Sequence, residues 1–174
     1  MLEAIQKARA IKLLVLDVDG VLTDGHLWYG NNGEELKAFH IQDGFGIKLL
    51  LRAGVEVAII TGRRSELVAR RGAELGITHV VQGREDKLIA LRALCAELNI
   101  ALAEVAYAGD DLPDLSAIAA AGLGIAVANA MPAVAKHAAY KTVRSGGDGA
   151  VREICDLILQ AQNKLDTILE QYLQ

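Results

Sequence analysis

The chain of 174 residues has only two cysteines, no excess of positive charge and no long apolar run. Cys95 and Cys155 lie far apart in helical patterns, which reads as two buried thiols rather than a disulfide or a metal pair. The net charge of -4 gives no reason to expect a nucleic acid or an anionic membrane as partner. A phosphate-bearing substrate would therefore have to meet local positive charge. No stretch is suited to span a bilayer, because the Ala- and Gly-rich region 115–135 is interrupted by Asn129 and Pro132. The first residues lack a basic segment leading into a signal-length apolar run, so a cytoplasmic location is expected. Internal repeats and low-complexity segments are also absent.

What is present is an ordinary globular composition, 52% hydrophobic and 23% charged, at a length that suits one domain over residues 1–174. Short apolar runs alternate with helical periodicity. Strands are expected at 11–16, 55–60, 78–81, 104–108, 123–127 and 140–143. Helices are expected at 2–10, 43–53, 65–75, 86–98, 114–121 and 131–138, and helical spacing runs on from 149 to 172. Two short runs flank Gly30-Asn31-Asn32-Gly33 and predict a β-hairpin over about 26–41. This alternation predicts an α/β fold, a Rossmann-like parallel sheet with helices on both faces and no separate cap domain. Gly146-Gly147 opens a C-terminal tail, about 144–174. Arg144 to Arg152 reads either as a glycine-hinged lid that closes over a site or as a plain loop leading into a packed helix.

The most informative segment is Leu13-Leu14-Val15-Leu16-Asp17-Val18-Asp19-Gly20. A buried strand ends in two carboxylates one residue apart, at the strand end where α/β sheets bind ligands. Two such groups repel each other unless a cation or a proton lies between them. A hard cation suits an all-oxygen site, and Mg²⁺ commonly works with phosphates and a few carboxylates. Thr61 ends a second apolar strand, and its hydroxyl with nearby N–H groups could hold phosphate oxygens or simply close a turn. Lys87 stands near a helix start, where the macrodipole disfavours a cation, which points to a functional ammonium over a surface one. Asp110, Asp111 and Asp114 form a second acidic cluster after the strand at 104–108.

Asp17 to Gly25, Ile59-Ile60-Thr61-Gly62-Arg63, Lys87 and Gly109-Asp110-Asp111-Leu112-Pro113-Asp114, in that order, resemble the four motifs of haloacid dehalogenase superfamily phosphatases. With His40 to Ile47 and Arg144 to Glu153, the chain is similar to the superfamily's capless 3-deoxy-D-manno-octulosonate 8-phosphate phosphatase family over nearly its whole length. The resemblance implies a Mg²⁺-dependent phosphomonoesterase that acts on a sugar-acid phosphate in lipopolysaccharide core synthesis. It implies Asp17 as nucleophile and Asp19 as general acid and base, with Thr61 and Lys87 holding the phosphoryl group. The Asp17 side chain, the Asp19 backbone carbonyl and the Asp110 side chain would ligate the metal, and Asp111 and Asp114 would orient metal-bound water or Lys87 or cap the following helix, with Asp111 as a direct ligand the lesser alternative. Gly62, Arg63, Arg71, Asp43 and Lys48 would surround the substrate. Arg63 and Arg71 could equally be exposed helix charges, and Asp43 a helix cap. Family members assemble as tetramers, here expected through the hairpin, since a two-stranded ribbon is poorly stable alone.

Two alternatives stand beside this reading. A nonulosonate 9-phosphate could replace the eight-carbon substrate. A phospho-accepting receiver or a degenerate regulatory domain would be non-enzymatic, but Thr61 and Lys87 fall between the two acidic clusters, an order that fits the phosphatase and not the receiver.

Overall fold

The structure is a computed structural model that describes residues 2–173. After helix α1 (Leu2–Ala8) the chain enters strand β1 (Leu13–Leu16), every residue of which is buried. A short ribbon of β2 (Trp28–Tyr29) and β3 (Glu35–Leu36) follows, then helix α2 (Ile41–Arg52). Regular alternation runs through β4 (Glu56–Thr61), α3 (Glu66–Leu75), β5 (His79–Gln82), α4 (Lys87–Leu98), β6 (Val105–Gly109) and α5 (Leu115–Ala120). It continues with β7 (Leu123–Ala126), α6 (Pro132–His137), β8 (Tyr140–Lys141), α7 (Ala150–Ala161) and α8 (Leu165–Tyr172).

Six strands form one parallel sheet in the order β5-β4-β1-β6-β7-β8. The chain moves outward from β1 to β4 and β5, returns to the other side of β1, and continues outward through β6, β7 and β8. With right-handed crossovers, that reversal sends α2 and α3 to one face and α4, α5 and α6 to the other. The packing agrees: α2 touches α3 and α7, α7 touches α1, and α4 touches α5, which touches α6. A sheet covered on both faces needs strands that are apolar throughout, which is why β1 reads Leu-Leu-Val-Leu without alternation. The reversal also opens a crevice outside the carboxyl ends of β1 and β6. Leu16 lies in register with Ala108 on β6 and Ile59 on β4, so Asp17, Asp110 and Thr61 reach the same edge.

Three expectations change. The ribbon is shorter than predicted, with only Trp28↔Leu36 and Tyr29↔Glu35 paired. Residues 37–40 leave it, and α2 begins two residues early, with the Gly44 N–H donating to the His40 carbonyl at 3.3 Å. The single C-terminal helix over 149–172 is two helices. Asn163 takes a left-handed conformation (φ 57°), and the chain turns back so that the Lys164 ammonium donates to the Ala53 carbonyl at 2.8 Å, at the end of α2. Tyr172 then meets Phe45 of α2 edge to face, centroids 5.8 Å apart. The Gly146-Gly147 segment is no free hinge. The Gly147 N–H donates to the Val21 carbonyl at 3.1 Å, and a Cβ on Gly146 would come within 2.9 Å of the Val21 Cα. The lid reading gives way to a packed loop, and α7 is a buried core helix.

Candidate active site

Asp17 follows the last residue of β1, and its N–H donates to the Ala108 carbonyl at 3.1 Å, which fixes it against β6. The chain then turns tightly, with the N–H groups of Val21, Leu22 and Thr23 all converging on the Val18 carbonyl. Buried Thr23 braces this turn by accepting the N–H of Gly25 at 3.2 Å. Gly20 adopts φ +92°, and a Cβ there would lie 2.6 Å from Cγ of Asp110 and closer still to its Oδ2. The first acidic loop can press on the second only because this position has no side chain.

Lys87, in the first turn of α4, is buried. Its ammonium bridges Asp17 Oδ1 at 2.8 Å and Asp114 Oδ1 at 2.7 Å. Asp114 is saturated: the Tyr107 hydroxyl also donates to Oδ1 at 2.9 Å, and the N–H groups of Asp110 and Asp111 donate to Oδ2 at 3.1 and 3.3 Å. Asp111 is exposed and caps the following turn through the Leu112 N–H at 2.8 Å. Thr61 is buried at the end of β4 and accepts the Arg63 N–H at 3.3 Å.

The electrostatics are unbalanced toward negative charge. Oxygens of Asp17, Asp110 and Asp114 lie within 4.8 Å of one another, against the single ammonium of Lys87. Burial first, then repulsion from Asp114, pushes Asp17 up to about 7 from an ordinary 3.8 despite its Lys87 partner. Burial and the neighbouring Asp114 and Asp111 raise Asp110 to about 6. Burial disfavours the charged form of Lys87, but Asp17 and Asp114 outweigh it and raise its pKa. An all-oxygen set with surplus negative charge fits a hard dication. Because Asp114 is engaged by four donors, Asp17 and Asp110 are the carboxylates with capacity left to ligate.

These groups line an open cleft of about 370 Å³, which brings together Asp17, Asp19, Thr61, Gly62, Arg63, Lys87, Asp110, Asp111 and Asp114. The three other expected substrate residues are not among its lining residues. Asp43 is buried and accepts the Arg152 N–H at 2.7 Å, serving the first turn of α7. Lys48 is exposed on α2. Arg71 lies over the Phe39 ring, 5.8 Å from its centroid, and beside Glu74 at 3.5 Å, in a separate groove.

Sequence reasoning missed other residues here. Asn129, in the loop after β7, donates through Nδ2 to the Gly20 carbonyl at 3.0 Å and accepts the Gly146 N–H at 2.7 Å. Two residues on, the Met131 N–H donates to the Asp110 carbonyl at 2.8 Å, so one loop braces both acidic loops. Lys37, with Glu35 of β3, reaches Asp19. No motif marks Asn129, Lys37 or Glu35. An asparagine interrupting an apolar stretch was the one available signal.

Residues 73–154 match the family described as haloacid dehalogenase-like hydrolase. The chain is 56% identical over 164 residues to "3-deoxy-D-manno-octulosonate 8-phosphate phosphatase KdsC" of Escherichia coli (strain K12), covering 94% of this chain and 87% of that protein. A crystal structure of 3-deoxy-D-manno-octulosonate 8-phosphate phosphatase from Moraxella catarrhalis, in complex with a magnesium ion, a phosphate ion and a KDO molecule, superposes with a TM-score of 0.98. It is 50% identical and covers 99% of both chains. The Yersinia pestis enzyme of the same description has a TM-score of 0.93 and 52% identity, covering 94% of this chain and 89% of that one.

Proposed function

The chain belongs to the 3-deoxy-D-manno-octulosonate 8-phosphate phosphatase family of haloacid dehalogenase-like hydrolases, and from that premise we propose that it hydrolyses 3-deoxy-D-manno-octulosonate 8-phosphate to the free sugar acid and phosphate. The observation that carries this reading is the cleft itself. A buried carboxylate, Asp17, is aligned by Lys87, faces a second acidic loop, and has Asp19 turned to one side of it.

Mg²⁺ fits the donors, with the Asp17 and Asp110 carboxylates and the Asp19 backbone carbonyl as its protein ligands, and when bound it neutralises charge on carboxylate and phosphate. Asp17 attacks phosphorus as the bond to the sugar oxygen breaks, which leaves an aspartyl phosphate. The Asp19 carboxyl gives its proton to the departing sugar oxygen. It then takes a proton from the water that hydrolyses the acyl phosphate, restoring Asp17. Lys87 holds Asp17 in line and offsets charge on the transferring group, and Thr61 with the Gly62 segment holds phosphoryl oxygens. Arg63 lines the cleft at its hairpin side, which supports a role for it in meeting the sugar carboxylate.

The hairpin supports self-association. Trp28, Tyr29 and Leu36 are 58%, 64% and 64% exposed on a ribbon too short to be stable alone, so we assign it the contact between copies in a tetramer. No described helix is long and apolar enough to cross a membrane. A multiply charged sugar phosphate does not cross a bilayer unaided, which supports action in the cytoplasm.

The test is phosphate release from a panel of sugar phosphates with Mg²⁺ and with a chelator. We expect the highest kcat/KM on the eight-carbon acid phosphate, and loss of turnover with the chelator. A preference for a nine-carbon 9-phosphate would move the assignment, and turnover of none would remove it.

A further inference from the structure

Asp19 does not stand with the other acidic groups. Its carboxylate is outside the set of mutually close oxygens formed by Asp17, Asp110 and Asp114, and is turned toward the hairpin. There Lys37, one residue past β3, pairs with Asp19 Oδ1 and lies 3.4 Å from Glu35 Oε1; its side chain is only 1% exposed. Arg63 closes the circuit, with Nε 3.7 Å from Asp19 Oδ2 and Nη2 3.8 Å from Glu35 Oε2. Its guanidinium also donates to the Tyr29 hydroxyl at 3.1 Å. Two cations and two carboxylates thus alternate in a ring, and the hairpin segment supplies Glu35, Lys37 and the Tyr29 brace.

The two cations are not equivalent. The Arg63 side chain is 43% exposed and sits at longer range, in a geometry that water screens. Lys37 is enclosed, and a buried ion pair holds its partner in one direction because breaking it strands a charge. An aspartate two residues after the nucleophile would otherwise be drawn toward any cation among Asp17 and Asp110. We propose that Lys37 is a positioning residue for Asp19: it holds the carboxyl group that exchanges protons with the leaving oxygen and the attacking water, and Glu35 holds Lys37. The hairpin then has a second role beyond joining copies, because it fixes the acid of its own cleft. This inference rests on the reading of Asp19 as general acid given above.

A purely structural role would have Lys37 neutralise Glu35, whose Oε1 is buried without a hydrogen-bond donor. Leaving-group dependence separates the two. A sugar alkoxide needs a proton to depart, whereas p-nitrophenolate does not, and kcat/KM reports the phosphorylation step for both. Lys37→Met should lower kcat/KM on 3-deoxy-D-manno-octulosonate 8-phosphate by about 10–100-fold, part of the 10²–10⁴-fold typical of general acid–base catalysis. The ratio of kcat/KM on the sugar phosphate to that on p-nitrophenyl phosphate should fall at least about tenfold. Lys37→Arg should recover most of that ratio. The double variant Glu35→Gln/Lys37→Met, in which the carboxylate needing neutralisation is gone, should keep the lowered ratio. Lys37→Gln serves in the same comparison if Lys37→Met loses the native melting transition. A Lys37→Met ratio within about threefold of wild type, or a double variant that returns to the wild-type ratio, overturns the inference. Wild-type protein that cleaves neither compound overturns the function itself, and the role of Lys37 falls with it.

Discussion

Gly20→Ala isolates the contact between the two acidic loops. The added Cβ would lie 2.6 Å from Cγ of Asp110, whereas ordinary van der Waals contact begins near 3.4 Å, so the carboxylate must withdraw by roughly 1 Å. The substitution also places an L side chain at φ +92°, which costs about 1–2 kcal/mol. Together with local crowding, a loss of roughly 1–3 kcal/mol is expected, or a melting point lower by about 3–10 °C for a chain of this length. Misplacing a reacting or ligating group by 1 Å costs on the order of 10²-fold. The Mg²⁺ concentration for half-maximal activity should therefore rise at least about tenfold. Gly54→Ala is the control, since Gly54 has φ +80° and nothing within 4 Å of an added Cβ. It should lose comparable stability and keep the wild-type Mg²⁺ dependence. Thermal melts and Mg²⁺ titrations of phosphate release on both variants decide the matter. A Gly20→Ala protein with wild-type Mg²⁺ dependence, or a Gly54→Ala protein shifted as far, would refute the reasoning.

Other outcomes follow from the same geometry. Asp114→Ala leaves Lys87 with Asp17 as its one carboxylate and strands the Tyr107 hydroxyl and two N–H groups, and should cost roughly 2–4 kcal/mol, read as a lower urea midpoint; a loss under about 1 kcal/mol would contradict its bracing role. Asp17 and Asp110 have folded pKa values raised to about 7 and about 6, so the metal-free native state binds more protons than the unfolded chain from near pH 4 to pH 7. Their contribution to stability thus falls as pH rises through that window. A dication competes with those protons, so the melting-point gain from Mg²⁺ should grow as pH rises toward about 7 and then level off, and a gain independent of pH from 5 to 8 would contradict it. Trp28→Glu should shift sedimentation toward smaller species, and an unchanged profile would remove the hairpin from the interface.

The parallel sheet and the edge that carries the chemistry were legible because both rest on local signals. Unbroken apolar runs mark doubly covered strands, and polar residues at their carboxyl ends fall together once β1 and β6 are neighbours. The surroundings of that edge were not legible, because they depend on which distant segments dock. Asp43 looked like a substrate group until α7 placed its first turn beside it. Arg71 lies on α3 and stacks on Phe39 instead of lining the cleft. Nothing near Asn129 or Lys37 announces that one braces the turn at Gly20 and the other grips Asp19. The break between α7 and α8 was hidden because apolar spacing continues from Ile158 to Leu165 and Ile168 across it, and only the left-handed Asn163 interrupts the helix.

The most direct test of the account is the chemical state of Asp17 during turnover. Enzyme mixed with excess 3-deoxy-D-manno-octulosonate 8-phosphate and Mg²⁺, quenched in acid within the first turnover and analysed by peptide mass, should carry one phosphoryl group on the peptide containing Asp17, absent in Asp17→Asn. Turnover with no phosphorylated peptide, or an Asp17→Asn variant that still releases phosphate at the wild-type rate, would contradict it.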